Sequence, residues 1–166
     1  MEVKIKKLVS GAVLPKRATI GSAAYDLFVP TDMIVGKGRQ IIPLGFAIEI
    51  PQGYEALIDA RSGFSSKGME GYAFLPKPDD GSGLINHTRS HHATRYDCDV
   101  IQGKIDSDYR GGVGVIINNR DVPFIIEKDT RIAQMTFHKV EDVEWHETDE
   151  LSTTDRNGGF GHTGTK

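Results

Sequence analysis

The chain has 166 residues, of which 38% are hydrophobic and 19 are glycine, so it can fold around one core without a disulfide or metal staple. Its 20 basic and 23 acidic residues give a net charge of −3, which argues against a general nucleic-acid coat or an anionic-membrane binder. No continuous apolar stretch approaches membrane-spanning length, and the single cysteine, Cys98, cannot form an internal disulfide. We therefore expect a soluble protein of a reducing compartment.

Short stretches of alternating apolar and polar residues recur along the chain and predict one all-β domain over residues 1–150. Evenly spaced short strands of this kind are typical of a β-sandwich or barrel. One helical turn is predicted at residues 62–67, ended by Gly68. The predicted strands cover residues 3–8, 25–29, 40–44, 46–50, 55–60, 114–118, 124–127 and 132–138.

Two regions depart from this pattern. Residues 69–95 are rich in Pro, Gly and His, and we expect an inserted, mobile surface excursion there rather than part of the core. After residue 138 the chain becomes acidic and polar, and residues 151–166 predict a flexible, glycine-rich C-terminal arm.

The C-terminal arm contains one aromatic residue, Phe160, and an arginine, Arg156, among its glycines. Glycines let successive backbone N–H groups converge on an anion, an arginine adds a forked charge, and an aromatic ring offers a face to a planar base. This composition predicts either a lid for a nucleotide or a plain glycine-rich terminus.

Three further segments carry chemically useful side chains. Arg61, Ser62 and Gly63 follow a predicted strand, where they can bind a phosphate chain or form a turn capped by the serine. In the turn at residues 103–112, Asp106 can orient a water and the ring of Tyr109 can pack on a sugar. The alternative there is a solvated acidic turn. Gln134, in a later strand, points either to a ligand or to solvent.

Taken in order, these segments resemble the five motifs of the trimeric dUTP diphosphatase (dUTPase) family along the whole chain. The third motif, around Asp106, and the glycine-rich fifth motif are the most specific of the five. The region between the second and third motifs is not covered by the resemblance. The matching segments are residues 23–27, 61–68, 103–111, 131–135 and 156–164.

The resemblance implies a dUTPase-like jelly-roll β-barrel or sandwich and a homotrimer whose subunits share active sites for dUTP. By similarity, Asp106 orients the attacking water, Tyr109 stacks under the deoxyribose, and Asp26 holds Mg²⁺ through water. Backbone groups of Gly103, Ile105 and Gly114 read the uracil by similarity. The arm closes over the nucleotide from another chain, with Phe160 on the uracil. The implied phosphate ligands are Arg61, Ser62, Gly63, Gln134, Arg156 and Gly161.

The implied reaction is the in-line attack of water on the α-phosphorus of dUTP, assisted by Mg²⁺, which gives dUMP and pyrophosphate. This activity supplies the dTTP precursor and limits uracil in DNA. A dCTP deaminase-like or bifunctional enzyme of the same fold is an alternative, although deamination is expected to use a glutamate base. A non-catalytic dUTP-sensing module is a second alternative. We expect the protein in the cytoplasm or inside a virus-infected cell, without a nucleic-acid or membrane partner.

Two details of the sequence remain outside the motifs. His87, His91 and His92, with Cys98 beyond, suggest a metal site, but the ligand set is incomplete and a surface flap or partner surface is the preferred interpretation. Lys104 stands where the family commonly has an apolar residue, beside the implied uracil-reading backbone. We expect its head group to extend into solvent.

Overall fold

Short antiparallel strands make up most of the structure, a computed structural model that describes residues 1–76 and 87–155. Within these residues there are twelve strands and one short helix, so the prediction of an all-β fold is confirmed. The elements are β1 (Lys4–Lys7), β2 (Tyr25–Phe28), β3 (Met33–Val35), β4 (Gly38–Glu49), β5 (Tyr54–Asp59), α1 (Ser62–Lys67), β6 (Met69–Pro76), β7 (His87–Tyr96), β8 (Cys98–Ile101), β9 (Gly103–Ile105), β10 (Gly112–Asn119), β11 (Phe124–Ile126) and β12 (Arg131–Lys139).

The strands form three four-stranded sheets in the orders β1-β4-β10-β8, β3-β11-β6-β7 and β2-β12-β5-β9. Alternation along β10 shows why the sequence pattern predicts strands. Val113, Val115 and Ile117 are buried while their neighbours are half-exposed, as the two-residue period of a strand requires. The core joins all three sheets through Leu27, Ile42, Leu44, Phe46, Ile117, Phe124, Ile126, Ile132 and Met135.

Strand β4 joins two segments that the sequence predicts as separate strands. Gly45, between them, has φ = +74°, a conformation that favours glycine, and its carbonyl accepts the N–H groups of Leu8 and Val9 at 2.8 and 3.2 Å. The backbone can therefore bend at Gly45 without ending the strand, and β4 pairs with both β1 and β10.

The expectation of a surface excursion from residue 69 is wrong for the start of that segment, which is a strand of a core sheet. β6 pairs with β11 on one side and with β7 on the other, so β6 and β7 form a hairpin. Met69 is buried, a Cβ at Gly71 would collide with Phe124, and the ring of Tyr96 stacks on Phe124 at 4.0 Å between centroids. Small and apolar residues at alternate positions fit β6 into the sheet. Residues 77–86 lie outside the described part of the chain.

Three short strands, β3, β8 and β9, have no counterpart in the sequence prediction. Residues 140–155 form no helix or strand, and most of their side chains are exposed. Arg156, Phe160 and Gly161 lie outside the described residues, so the C-terminal arm stays a prediction. In residues 1–76 and 87–155, no helix combines the length and the apolar composition needed to cross a membrane.

Candidate active site

One face of the sheet β2-β12-β5-β9 carries Gln134, predicted to bind phosphate, and Asp26, predicted to hold Mg²⁺. Gln134 of β12 lies opposite Asp26 of β2 on one side and Asp59 of β5 on the other. Residues that pair across a sheet point to the same face, so these three side chains share one surface. Arg61 lies two residues after the end of β5, and Arg131 begins β12. The structure therefore brings Asp26, Arg61 and Gln134 into the same region.

Asp26 binds two arginines at once. Its Oδ1 accepts a hydrogen bond from Arg61 Nε at 2.9 Å, and its Oδ2 accepts one from Arg131 Nη1 at 3.1 Å. The carboxylate side chain is 13% exposed, while the side chains of Arg61 and Arg131 are 28% and 48% exposed. Because charge-assisted hydrogen bonds have defined directions, the shared carboxylate fixes both guanidiniums before any ligand is present.

The helix α1 begins at Ser62 and borders a cavity of about 340 Å³. Arg61 is the residue before the helix, and no side chain caps it, so Ser62 is not the capping residue that the sequence suggested as an alternative. Gly63 lines the cavity, together with four basic residues: Arg61, Lys67, Arg95 and Arg131. The concentration of positive charge suits the cavity to a polyanion.

A second cleft, of about 180 Å³, is lined mainly by β9 and β10. The predicted residues Gly103, Ile105, Tyr109 and Gly114 all line it. A Cβ at Gly103 would meet no atom within 4 Å, so the backbone there faces open space. The remaining lining is largely apolar and consists of Ile41, Ile58, Ile101, Lys104, Gly112, Val113 and Ile116. A small apolar cleft with accessible backbone groups can accept a planar ring and read its polar edge.

The ring of Tyr109 stands at the mouth of this second cleft and is 45% exposed. Its hydroxyl donates to the carbonyl of Gly112 at 3.1 Å, and a Cβ at Gly111 would collide with the ring. The glycine at position 111 thus leaves room for the ring, and the hydrogen bond fixes its direction. The head group of Lys104 pairs with Glu55, with 2.5 Å between Nζ and Oε2, and its side chain is 62% exposed, as we expected.

Asp106 lies in neither of these cavities. It is exposed at the end of β9, and its carbonyl accepts the N–H of Tyr109 at 3.2 Å, which closes the turn. Its side chain borders a separate open depression that is shared with Asp108 and Arg110.

Asp26 and Asp106 are far apart within one chain. Asp26, Gln134 and Asp59 lie opposite one another on β2, β12 and β5 and form a row across the sheet. Gln102 Nε2 donates to Asp59 Oδ1 at 2.7 Å and continues this row to the opposite edge of the sheet. The three strand intervals of that row amount to about 14 Å. Asp106 lies four residues after Gln102, about 13 Å further along the strand direction, so ideal sheet spacing separates the Cα atoms of Asp26 and Asp106 by roughly 19 Å.

Arg131 and Arg95 belong to the basic cavity but were not predicted as site residues. In β12 a register shift between Arg131 and Ala133 buries both Ile132 and Ala133. A strict two-residue period would have placed Arg131 and Gln134 on opposite faces, so the sequence pattern hides their proximity. Arg95 reaches the cavity through the pairing of β6 with β7, which no local signal reveals.

The suggested metal site near the histidines is not supported by the position of Cys98. Its thiol is buried and lies 3.3 Å from Asn119 Oδ1, whereas His91 and His92 are exposed on β7. Burial raises the pKa of the Cys98 thiol to about 11, which disfavours the thiolate that a metal would need. Among the described residues, no three His, Cys, Asp or Glu side chains cluster closely enough to hold a metal ion.

Comparison with known proteins identifies the family. The dUTPase family model matches residues 11–75 and 74–164. The chain is 41% identical over 170 residues to the deoxyuridine 5'-triphosphate nucleotidohydrolase of Hydrogenobaculum sp. (strain Y04AAS1), with 100% of both chains covered. It is 36% identical over 172 residues to the enzyme of the same name from Anaplasma marginale (strain St. Maries), with 99% of both covered.

Solved structures agree with this relationship at the level of the fold. The Staphylococcus bacteriophage 80alpha dUTPase, solved with dUpNHpp, aligns with a TM-score of 0.74 at 24% identity and 98% coverage of both chains. A dUTPase from phage phi11 of S. aureus, solved to show the coordination of a structural Mg(II) ion, aligns with a TM-score of 0.69 at 19% identity, covering 92% of this chain and all of that one. These likenesses confirm the expected jelly-roll fold. The full-length match to the family model and to close relatives shows that the chain belongs to the dUTPase family.

Proposed function

We propose that this protein hydrolyses dUTP to dUMP and pyrophosphate with the assistance of Mg²⁺. The observation that carries the proposal is the division of its surface into two complementary parts. A small apolar cleft with open backbone suits a base and sugar, and a basic cavity beside Arg61 suits a phosphate chain. Two relatives named as deoxyuridine 5'-triphosphate nucleotidohydrolases and a phage dUTPase solved with dUpNHpp support the same ligand.

In the apolar cleft, backbone groups of Gly103, Ile105 and Gly114 read the uracil, and the ring of Tyr109 lies against the deoxyribose. A Cβ at Gly114 would come within 3.3 Å of the carbonyl oxygen of Ile42, so the close packing there favours glycine. The hydrogen bond from Tyr109 to Gly112 holds the ring in one place. A fixed ring leaves no room for a 2′-hydroxyl, which selects dUTP over UTP.

On the phosphate side, the ligands are Arg61, Ser62, Gly63 and Gln134. Arg61 and Gly63 line the basic cavity, Ser62 lies between them in the chain, and Gln134 pairs across the sheet with Asp26. The guanidinium of Arg61 is already oriented by Asp26, so little side-chain entropy is lost when a phosphate arrives. Arg156, Phe160 and Gly161 of the C-terminal arm complete the site by covering the uracil and binding phosphate. Closure of the arm excludes bulk water and thereby strengthens each charge interaction.

The groups available at this site suit Mg²⁺, which does not need to be surrounded by protein ligands alone. Mg²⁺ keeps several waters and is commonly bound through one or two carboxylates together with substrate phosphates. Asp26 provides one such carboxylate, and both of its oxygens bind arginines, which suits contact through a water rather than direct coordination. When bound, the ion would neutralise charge on the phosphates and polarise the α-phosphorus.

Asp106 orients the attacking water and accepts its proton. The water must lie beside the phosphates that Arg61 binds, yet Asp106 is roughly 19 Å from Asp26 in the same chain, counted over the strand spacing and rise of the sheet. We infer that the two halves of one active site come from different copies of the chain, as in the homotrimer that the family resemblance implies.

A first experiment compares pyrophosphate release from dUTP, UTP, dTTP and dCTP in the presence of Mg²⁺. The unmodified protein is expected to prefer dUTP, and Asp106→Asn is expected to lose about a hundredfold or more in rate. The matched control is Asp108→Asn, an exposed carboxylate of the same turn, which should keep its activity. Equal rates for Asp106→Asn and the unmodified protein would exclude the assigned mechanism, and release of both ammonia and pyrophosphate from dCTP would favour the bifunctional alternative.

A second experiment mixes Asp26→Asn and Asp106→Asn after unfolding and joint refolding, and measures activity at a Mg²⁺ concentration too low for Asp26→Asn to be active. If each site takes Asp26 from one chain and Asp106 from another, random assembly restores about one quarter of the native sites. If both residues acted within one chain, every site would keep one defect and no activity would return. Each variant refolded alone is the control.

A further inference from the structure

The basic cavity beside α1 extends beyond the residues assigned above. Arg61 precedes α1, whereas Lys67 is its last residue and Arg95 contacts the backbone just after it. The six residues of α1 span about 9 Å, so the cavity has basic groups at two separated places. The acidic residue in its lining is Glu70.

Arg95 reaches this position from β7, the second strand of the hairpin. Its Nη1 donates to the carbonyl of Gly68 at 3.2 Å, and its Nη2 pairs with Glu70 Oε2 at 2.8 Å. These contacts engage two of the five N–H donors of the guanidinium and fix its plane. The side chain is 49% exposed and lines the cavity, so it remains able to bind a further acceptor.

The charges in the cavity favour a ligand that is anionic along its whole length. Arg61 and Arg131 share the carboxylate of Asp26, which leaves one net positive charge at that end. Lys67 and Arg95 against Glu70 leave another at the far end of α1. A monophosphate would need only one of these ends, whereas a triphosphate chain can use both.

We propose that Arg95 binds the terminal phosphate of the nucleotide, so that the β6–β7 hairpin contributes a ligand to the phosphate side of the site. This inference rests on the proposed function. Arginine suits the role because its planar fork can hold two phosphate oxygens together. The alternative role for Arg95 is structural, since its contact with Gly68 also places a positive charge at the C-terminal end of α1.

The test measures the binding of a nonhydrolysable dUTP analogue and of dUMP by calorimetry, in buffer containing Mg²⁺. Arg95→Gln is expected to weaken the triphosphate analogue about tenfold, or about 1.4 kcal/mol, and to leave dUMP unchanged. The KM for dUTP should rise by a similar factor. The matched control is Arg120→Gln, which removes a half-exposed, ion-paired arginine that lines neither cavity.

The outcomes separate the two roles of Arg95. A purely structural role would lower the melting temperature and leave the ratio of triphosphate to monophosphate affinity unchanged, which would refute the proposal. If Arg95→Gln does not fold, Arg95→Lys decides, because it keeps the charge and loses the fork and should weaken the triphosphate analogue only. If a folded Arg95 variant binds the triphosphate analogue as well as the unmodified protein does, the role of Arg95 is refuted. The proposed function still stands in that case, provided that the unmodified protein hydrolyses dUTP. Failure of the unmodified protein to hydrolyse or bind dUTP would refute the proposed function as well.

Discussion

Replacing Asp26 with asparagine tests the arrangement in which one carboxylate holds two guanidiniums. Asparagine offers one carbonyl oxygen and one amide nitrogen in place of two acceptor oxygens. The amide nitrogen cannot accept the hydrogen bond that now comes from Arg131 or Arg61, so one arginine loses its partner. The substitution is close to isosteric and leaves the neighbouring packing intact.

The effect on stability should be small because water can reach both arginines. A hydrogen bond to a charged group contributes about 1.5–3 kcal/mol, and the partial exposure of Arg61 and Arg131 reduces the expected loss to about 1 kcal/mol. For a chain of 166 residues this lowers the melting temperature by about 2–4 °C. The variant should therefore stay folded at 25 °C.

The effect on activity should be much larger and should depend on metal concentration. Groups that orient metal-bound water typically change metal affinity or activity by about 10–100-fold when they are replaced. Pyrophosphate release across a Mg²⁺ titration should show half-maximal activity displaced to higher Mg²⁺ by about that factor. Asp32→Asn is the control, because Asp32 accepts the backbone N–H of Lys128 at 2.8 Å outside the cavity and asparagine can accept it too. An unchanged Mg²⁺ titration for Asp26→Asn would refute the assignment of this carboxylate.

Three further substitutions test other parts of the structure. Gly103→Ala places a methyl group in the open apolar cleft and should raise the KM for dUTP about tenfold without lowering the melting temperature. The control Gly21→Ala, also in open space, should change neither quantity. An unchanged KM for Gly103→Ala would exclude Gly103 from the site. Tyr109→Ala should reduce the preference for dUTP over UTP by about tenfold while the protein stays folded, and an unchanged ratio of kcat/KM would show that the ring does not select the sugar. The raised pKa of Cys98 contributes stability that is complete below pH 9 and is lost as the pH rises towards 11, because the unfolded chain ionises first. The melting temperature of the native protein should therefore fall more steeply over that pH interval than the melting temperature of Cys98→Ala. Parallel curves of melting temperature against pH would contradict this.

The sequence predicts the strands well where alternation extends over five or more residues. The predicted strands at residues 25–29, 55–60 and 132–138 coincide closely with β2, β5 and β12, the strands that position Asp26, Arg61 and Gln134. These side chains lie at strand positions or at a strand end, and the pairing of three strands brings them together. The sequence alone could therefore predict that these residues of the phosphate side lie close together.

The rest depends on interactions that local patterns do not encode. The register shift in β12 moves Arg131 to the face of Gln134, and one extra residue in a strand is invisible to a two-residue period. The segment at residues 69–95 appeared irregular because its middle is rich in Pro and Gly, but Met69 and Gly71 fit β6 against Phe124. That fit depends on a residue more than fifty positions away, which is why Arg95 was not recognised as part of the basic cavity.

The hairpin has a consequence for how the protein avoids association with other chains. β7 is the outer strand of its sheet, so one side of its backbone has no strand partner within the described residues. Such an edge can template the addition of foreign strands unless polar or charged side chains discourage it. Along the edge Arg89, His91, His92, Thr94 and Arg95 are all exposed. The apolar anchors Met69, at the start of β6, and Tyr96, at the end of β7, are buried, so the hairpin is held to the core from its inner side while the described part of its outer edge stays polar.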